Sequence, residues 1–244
     1  MLARADLHIH SYVSDGEASP KDIVKYARKL KLNVISITDH NSFLGSVIAS
    51  RYAEEHDIVV LLGNEVRTVW GDVLIFCEEP ITVSENPYLL RDIAKENSCV
   101  IIPAHPFDLK RLGVGGKSRI YDLWDGFEVF NARSDPITNL LSYLMLRNKS
   151  KTLLSNSDAH TLSEIGCSYN LIYVNDLKKE EVLDALKKGR TLMRPAYKFN
   201  ALHKMFSWSF KARLYGISEK QLAFKTNLLP VLRGGDSSSG SSSA

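Results

Sequence analysis

A chain of 244 residues that is 44% hydrophobic and 24% charged can bury a substantial core, which fits one large α/β domain or one domain with an appendage. No apolar run approaches the roughly 20 residues of a membrane-spanning helix, and no basic and apolar leader opens the chain, so we expect a cytoplasmic protein without a transmembrane segment. The net charge of +3 is unevenly distributed, because residues 187–233 contain 11 Lys and Arg but only one acidic residue.

Short apolar runs of strand length alternate along the chain with longer runs of helical period. The predicted strands span residues 5–9, 33–38, 58–63, 99–103, 126–130, 152–155 and 170–174. The predicted helices span 20–30, 42–55, 87–96, 136–146 and 178–187, and the first has Ser19 as its N-cap and Pro20 in its first turn. Seven strands linked by helices predict a parallel sheet, and their number favours a closed or distorted barrel.

The three cysteines, Cys77, Cys99 and Cys167, are far apart in the sequence and lie in apolar, strand-like surroundings. This spacing indicates neither a disulfide framework nor a Cys-x-x-Cys metal site. We therefore expect all three to act as small buried hydrophobic side chains.

Asp6, His8 and His10 alternate with Leu7 and Ile9 on the first predicted strand. Because alternate residues of a strand point to the same face, the two histidines can bind one metal ion together. The pattern alone is weakly specific, since a partly exposed strand can carry alternating histidines by chance. Later parts of the chain decide between these interpretations.

Metal-binding side chains also follow later predicted strands at the points where those strands end. In a βα barrel these ends meet at one mouth, so the side chains would come together although they are distant in sequence. Each alone has a simpler explanation, such as a rim histidine, a turn at Asp15-Gly16 or an N-cap at Asp158. Their joint occurrence favours a metal site at this mouth. The polar residues that follow the strands are Asp39, His40, Asn64, Glu65, His105, Asn156, Asp158 and His160.

Six motifs resemble those of the PHP (polymerase and histidinol phosphatase) metallophosphoesterases, in the order of that family. They are DLHIHS with SDG within residues 6–16, TDHN at 38–41, GNEV at 63–66, PAHP at 103–106, GFEVFN at 126–131 and SDAH at 157–160. The resemblance implies an α/β fold of PHP type, a distorted seven-stranded (βα)7 barrel. It also implies two or three divalent ions at the mouth of the barrel.

The resemblance further implies three groups of metal ligands. Asn131 and Arg133 stand where some relatives place a further histidine, and this departure bears on the third ion. Asn156 stands where glycine is common. The first implied site has the ligands His8, His10, Glu65 and Asp158. The second consists of His105 and Glu65, which bridges the two sites. The third consists of Asp15, His40 and His160.

Clustered carboxylates and imidazoles suit Mn, Fe or Zn, and Mg is also compatible. Two such ions roughly 3.5–4 Å apart can activate a water molecule and stabilise charge during phosphoester hydrolysis. We accordingly expect Glu65, Asp158 and Arg133 to be catalytic. Arg133 and Arg67 are candidates for binding phosphate, because guanidinium pairs bidentately with it.

Four polar residues beside the predicted ligands have supporting roles in this interpretation. Asp6 and Asp39 either orient nearby histidines or make structural hydrogen bonds unrelated to metal. Glu128 and Asn131, on the inward face and at the end of the fifth strand, are expected to orient water or substrate.

We expect a metallophosphoesterase domain at residues 1–194, a basic, aromatic-rich helical extension at 195–233 and a disordered Ser/Gly tail at 234–244. The extension has the composition of a surface that binds RNA, DNA or an anionic membrane. A helical cap that packs its aromatic side chains on the barrel is the alternative.

These features favour a metal-dependent phosphoesterase that acts on a phosphorylated small metabolite, a nucleotide or the end of a short oligonucleotide through a metal-activated water. Histidinol-phosphate phosphatase is an alternative that the short connections and the missing histidine disfavour. A nucleic-acid-binding or scaffold module with a structural metal cluster is an alternative of another class, and the complete ligand set argues against it.

Overall fold

The computed structural model describes residues 1–150 and 152–197. The predicted basic extension lies outside the described residues except for its first three positions, and the Ser/Gly tail lies wholly outside them. The division into domains therefore stays a prediction. Among the described residues, no helix is long and apolar enough to cross a membrane.

Nine strands and five α-helices occur within the described residues. The strands are β1 (Leu2–Ile9), β2 (Val34–Ile37), β3 (Val59–Thr68), β4 (Gly71–Cys77), β5 (Val100–Pro103), β6 (Gly126–Asn131), β7 (Thr152–Asn156), β8 (Tyr169–Tyr173) and β9 (Thr191–Arg194). The helices are α1 (Pro20–Lys29), α2 (Leu44–Ala53), α3 (Pro87–Glu96), α4 (Pro136–Leu146) and α5 (Lys179–Lys187). The five predicted helices and the seven predicted strands are all present, and β4 and β9 were not predicted.

Seven strands form one curled sheet in the order β5-β4-β3-β2-β1-β8-β9, and β6 and β7 form a separate parallel pair. The backbone N–H of Asp125 donates to Ile101 O of β5 (3.0 Å), and that of Ser155 donates to Asn170 Oδ1 of β8 (2.9 Å). These bonds hold the β6–β7 pair between β5 and β8. The α/β class and the curled, barrel-like sheet are therefore confirmed.

The prediction of an all-parallel sheet is wrong. Strand β1 runs parallel to β2, and β2 runs parallel to β3, whereas the β3–β4, β4–β5, β1–β8 and β8–β9 pairs are antiparallel. For the β3–β4 pair the reason is local: only Val69 and Trp70 separate the two strands, and so short a connection can join only antiparallel neighbours. Gly71 has φ +136°, and a Cβ there would lie 2.3 Å from Leu112 O, so this turn requires glycine.

Helices α1 and α2 cover the outer side of the sheet near the start of the chain. Ile23 and Val24 of α1 and Ala49 of α2 pack with Ile35 and Ile37 of β2 in one buried cluster. This apolar cluster fixes the position of β2 and of its neighbour β1. The polar side chains that follow these two strands are thereby held on a rigid support.

Cys77 and Cys99 form a disulfide, which corrects the expectation that all three cysteines act only as buried hydrophobic side chains. Phe76 of β4 pairs with Val100 of β5, so the two cysteines lie opposite each other in continuation of this antiparallel ladder. This pairing could not be predicted from the sequence, because β4 itself was not predicted. Cys167 is not part of this bond.

Reduction of this disulfide is expected to lower the free energy of unfolding by about 3 kcal/mol, because the bond closes a loop of roughly 20 residues in the unfolded chain. Thiol labelling in denaturant is expected to detect one cysteine before reduction and three after it. Detection of three thiols without reductant would contradict the pairing. Equal melting temperatures in the two redox states would contradict the stabilisation.

Candidate metal centre

All eight side chains predicted as metal ligands lie together where β1, β2, β5 and β7 end, with one of them inside β3. The turn after β7 is brought to the end of β1 by two backbone hydrogen bonds, from His10 N to Ala159 O (2.8 Å) and from Ala159 N to His8 O (3.3 Å). Residues 150 positions apart therefore meet at this end of the sheet. The eight are His8, His10, Asp15, His40, Glu65, His105, Asp158 and His160.

Four of these side chains direct one atom each toward a common point. His8 Nε2 lies 3.1 Å from His10 Nε2. Glu65 Oε2 lies 3.4 and 3.2 Å from these two nitrogens, and Asp158 Oδ1 lies 3.5 and 3.3 Å from them. Atoms bound at about 2.0–2.2 Å to one tetrahedral ion are about 3.3–3.6 Å apart. These five distances are close to the spacing of a metal coordination shell, and His8, His10 and Glu65 form one group that could hold an ion.

Asp158 carries two further signs of a metal site. Its Oδ1 atom is buried and makes no hydrogen bond of good geometry within the described part of the chain, although His10 Nε2 lies 3.3 Å away. A buried carboxylate oxygen that is so weakly paired is costly, so a cation is a natural partner at this place. The residue also has φ +51°, and His105 has φ +30°. Non-glycine residues with such backbone angles are uncommon and concentrate at functional sites.

Glu65 lies between the first group of ligands and the neighbouring ones. Its Oε2 atom faces His8 and His10, and it also lies 3.2 Å from His40 Nδ1. Its other oxygen, Oε1, lies 3.2 Å from His105 Nε2. A carboxylate with ligands facing both oxygens has the arrangement of a bridge between two ions.

The more exposed side of the centre is formed around Asp15, whose side chain is 39% exposed. Asp15 Oδ2 lies 3.0 Å from His160 Nε2 and 3.6 Å from His40 Nε2, and Oδ1 lies 3.4 Å from His10 Nδ1. This group adjoins the first one, because His10 contributes one ring nitrogen to each side.

Glu128 of β6 is fully buried and accepts four hydrogen bonds. Its Oε1 atom contacts His8 Nδ1 (3.0 Å) and accepts from Asn156 Nδ2 (2.8 Å). Its Oε2 atom accepts from His105 N (2.8 Å) and Asn131 Nδ2 (3.0 Å). Because the carboxylate accepts from His8 Nδ1–H, the Nε2 lone pair points into the centre whenever the ring is neutral.

Among the described contacts, Asp6 and Asp39 make no hydrogen bond to a histidine. They make structural hydrogen bonds instead, which was the second of the two predicted roles. Asp6 accepts from Ser157 Oγ (2.5 Å) and Gly166 N (2.8 Å), and Asp39 accepts from Ser11 N and Oγ (2.8 and 2.7 Å). Each aspartate thereby anchors a ligand-bearing loop. A Cβ at Gly45 would lie 1.8 Å from Asp39 Oδ2, so this anchor requires glycine there.

Three arginines lie close to the centre. Arg67 donates from Nε and Nη2 to the two oxygens of Asp72 (3.1 and 3.2 Å). Arg133 Nη1 is buried without a hydrogen-bond partner among the described residues. Arg111 donates from Nη2 to Asp158 Oδ2. The sequence interpretation missed Arg111, because it follows no strand end and belongs to none of the recognised motifs.

The buried carboxylates strongly favour the protonated form of the two histidines of β1. Burial lowers the pKa of His8, but the carboxylates of Asp158, Glu128 and Glu65 outweigh this effect and raise that pKa well above its usual value. Burial also opposes protonation of His10, yet neighbouring carboxylates raise its pKa to about 10. Without metal, protons therefore supply positive charge that a divalent ion would otherwise supply.

His160 behaves in the opposite way. Burial, Arg133 and His10 together lower its pKa to about 4. It is therefore neutral at pH 7 and keeps a nitrogen lone pair. A neutral imidazole is the form that binds a metal ion.

Comparisons with known proteins agree with these observations. A model of the PHP domain matches residues 6–102, and a model described as PHP-associated matches residues 136–191. A crystal structure of a two-domain protein from Bacteroides vulgatus, containing a predicted PHP-like metal-dependent phosphoesterase, superposes with a TM-score of 0.66 at 18% identity, covering 85% of this chain and 70% of that one. That likeness confirms the fold.

Two sequence relatives extend the comparison. A 3',5'-nucleoside bisphosphate phosphatase of Chromobacterium violaceum is 34% identical over 70 residues, which cover 29% of this chain and only 25% of that enzyme. An uncharacterized protein of Methanocaldococcus jannaschii is 35% identical over 152 residues, which cover 56% of this chain and 86% of that protein. The chain matches the Methanocaldococcus protein over most of that protein's length, and it matches the PHP-domain and PHP-associated models in order along the sequence. This chain therefore belongs to the PHP family.

Proposed function

We propose that this protein is a metal-dependent phosphoesterase that hydrolyses a phosphoester of a small metabolite, a nucleotide or the end of a short oligonucleotide. The observation that carries the proposal is the group of His8 Nε2, His10 Nε2 and Glu65 Oε2, which have the mutual spacing of a coordination shell, with Asp158 Oδ1 beside both histidine nitrogens. Family members that carry out such hydrolysis, including the bisphosphate phosphatase of Chromobacterium violaceum, support the reaction class.

The residues present fit two or three divalent ions in the three groups described above. His8, His10, Glu65 and Asp158 would hold one ion, and Asp15, His40 and His160 would hold another. Glu65 and His105 would face the position of a third. Mixed imidazole and carboxylate ligands suit Mn, Fe or Zn. When bound, such ions lower the pKa of a water molecule and neutralise charge on phosphoryl oxygens.

The chain's own residues would prepare the site for this chemistry. Glu128 fixes the His8 ring with Nε2 directed inward, so the ligand does not have to reorient. The guanidinium groups of Arg133 and Arg111 adjoin Asp158 and are placed to bind phosphoryl oxygens. His160 is neutral at pH 7 and can accept a proton or bind an ion.

The test is a panel of phosphomonoesters, nucleoside bisphosphates and short oligonucleotides, assayed with Mn, Mg and Zn beside metal analysis of the purified protein. We expect turnover of at least one class, stimulated by one or more of these metals and abolished by chelation. A folded, metal-loaded protein that hydrolyses none of them would overturn the proposal. The scaffold with a structural metal cluster would then be favoured.

Metal binding is expected to release protons at pH 7, because the raised pKa values of His8 and His10 keep both rings largely protonated in the metal-free protein. Metal affinity should therefore increase as pH rises from the unperturbed histidine value of about 6.5 toward about 10. The stability that protonated His10 gives to the metal-free fold should be lost over the same interval.

Titration calorimetry with Mn in two buffers of different ionisation enthalpy would measure this release. The binding enthalpies measured in the two buffers are expected to differ. Divided by the difference in buffer ionisation enthalpy, this difference should correspond to at least one proton released per chain. Equal heats in both buffers would contradict the protonated, metal-free cluster.

A further inference from the structure

Arg111 is held at the centre by two hydrogen bonds. It lies in the short 3-10 helix Leu109–Arg111, six positions after His105, and its side chain is 26% exposed. Nη2 donates to Asp158 Oδ2, and Nη1 donates to Asn131 Oδ1 (3.1 Å). Because a guanidinium group carries five N–H donors, these bonds leave N–H groups for a further ligand.

These bonds restrict how Asp158 can bind an ion. Oδ1 faces His8 and His10 and makes no hydrogen bond of good geometry among the described residues. Oδ2 instead accepts from both Arg111 Nη2 and Asn131 Nδ2 (2.9 Å). Asp158 therefore offers one oxygen to the four-ligand group, and its second oxygen is neutralised by a guanidinium group.

The position beside His105 is poor in ligands. Within residues 1–150 and 152–197, the described contacts place Glu65 Oε1 and His105 Nε2 there, 3.2 Å apart. Asp72 lies nearby, but both of its oxygens accept hydrogen bonds from Arg67. A catalytic metal ion usually has three protein ligands.

Positive charge is nevertheless favoured there, because the buried carboxylates of Glu65, Glu128 and Asp158 all lie within 3.5 Å of a ring nitrogen of His8. Arg111 already supplies one positive charge close to Asp158 and Glu65. An additional divalent ion next to this guanidinium group would be repelled.

We propose that Arg111 takes the place of a divalent ion beside His105, so that the centre holds two ions rather than three and the remaining N–H groups of Arg111 bind the substrate's phosphoryl oxygens. This proposal rests on the proposed phosphoesterase function for its substrate. The two ions would be held by the four-ligand group and by the group of Asp15, His40 and His160. Arg111 is a positioning residue for Asp158 and a binding residue for phosphate.

The experiment uses the full chain and the variants Arg111→Met and Arg111→Lys, with Arg119→Met as the matched control. Arg119 is exposed in the same loop region and has no contact with the centre among the described residues. Mn equivalents per chain are measured by elemental analysis after equilibrium dialysis. Binding of inorganic phosphate to the Mn-loaded proteins is measured by calorimetry, and thermal unfolding confirms that each variant is folded.

The wild type and the Arg119→Met control are expected to hold two ions per chain. Arg111→Met is expected to hold a third ion, because removal of the guanidinium group frees Asp158 Oδ2 and removes the repulsion. Its phosphate affinity should fall about tenfold or more, since hydrogen bonds to charged groups are lost. Arg111→Lys should keep two ions, because the positive charge remains. It should bind phosphate more weakly than the wild type, because an ammonium group cannot make the bidentate hydrogen bonds of a guanidinium group.

Three ions in the wild type would overturn the proposal, and so would two ions in a folded Arg111→Met variant. An unchanged phosphate affinity in that variant would overturn the binding role. If Arg111→Met does not fold, the wild-type count and Arg111→Lys still decide, because three ions in either protein contradict the replacement. Neither readout needs turnover, so a protein that hydrolyses no phosphoester would refute the proposed function and leave these counts interpretable.

Discussion

Replacement of Glu65 by Gln is expected to remove most of the bound metal and to lower turnover by about a hundredfold or more. Loss of a residue that merely orients a ligand costs about 10–100-fold, so loss of the central ligand should cost at least the upper end of that range. Glu65 Oε2 faces His8 and His10, whereas Oε1 faces His105. In either orientation of the amide, an NH₂ group replaces one ligand oxygen.

The variant should stay folded, because Gln has nearly the shape of Glu and the side chain is set in a strand paired on both sides. Metal content by elemental analysis and turnover of the best substrate are the two measurements. Glu96→Gln at the exposed end of α3 is the matched control and should change neither. If metal content and turnover of Glu65→Gln both equal those of the wild type, the metal centre is elsewhere.

Most of the predicted ligands could be found from sequence because their clustering depends on the order of the strands. His8 lies in β1 and His10 directly follows it, whereas His40, His105 and Asp158 lie two or three positions after the ends of β2, β5 and β7. The carboxyl ends of the barrel strands meet at one mouth whatever the lengths of the connections. The strand ends therefore indicated most of the eight predicted ligands, whereas Asp15 was implied by the resemblance to the PHP motifs.

The residues around the ligands could not be predicted in the same way. Arg111 reaches Asp158 from a loop of short 3-10 helices whose path has no periodic signal. Glu128 was recognised as inward-facing, but its bond to His8 depends on how β6 is placed against β1, which do not pair with each other. Contacts between distant, unpaired elements are set by tertiary packing.

Two errors in the fold share one origin. The run of β4 is buried along its whole length, so it lacks the alternation that marks a half-buried strand. With β4 missed, the hairpin from β3 was missed, and so was the antiparallel neighbour that brings Cys77 to Cys99. The unpredicted β9 and the antiparallel β1–β8 and β8–β9 pairs are separate from this turn.

Replacement of Glu128 by Gln is expected to lower metal affinity about 10–100-fold and stability by about 3 kcal/mol, although Glu128 is not itself a predicted ligand. Each carboxylate oxygen accepts from two groups. Oε1 faces His8 Nδ1 and Asn156 Nδ2, and Oε2 faces His105 N and Asn131 Nδ2. An amide has one oxygen, so either orientation turns an NH₂ group toward hydrogen-bond donors. Flipping the side chain cannot relieve this conflict.

The conflict also acts on the metal site through the His8 ring. If the new NH₂ group faces His8 Nδ1, that nitrogen must accept, and the proton moves to Nε2, which then cannot bind an ion. If it faces His105 N instead, the backbone beside a second ligand is disturbed. Both orientations therefore weaken metal binding, whereas a merely structural role for Glu128 predicts lower stability with unchanged metal affinity.

Glu164→Gln is the matched control for this prediction, because Glu164 is also buried but accepts its two hydrogen bonds on one oxygen. Both are donated to Oε2, by His160 N and Thr161 N (2.9 Å each), so the amide oxygen of Gln can take that place. Mn titration and thermal unfolding of the two variants measure the difference. Equal metal affinity in Glu128→Gln and Glu164→Gln would show that the His8 ring does not depend on the Glu128 carboxylate for its orientation.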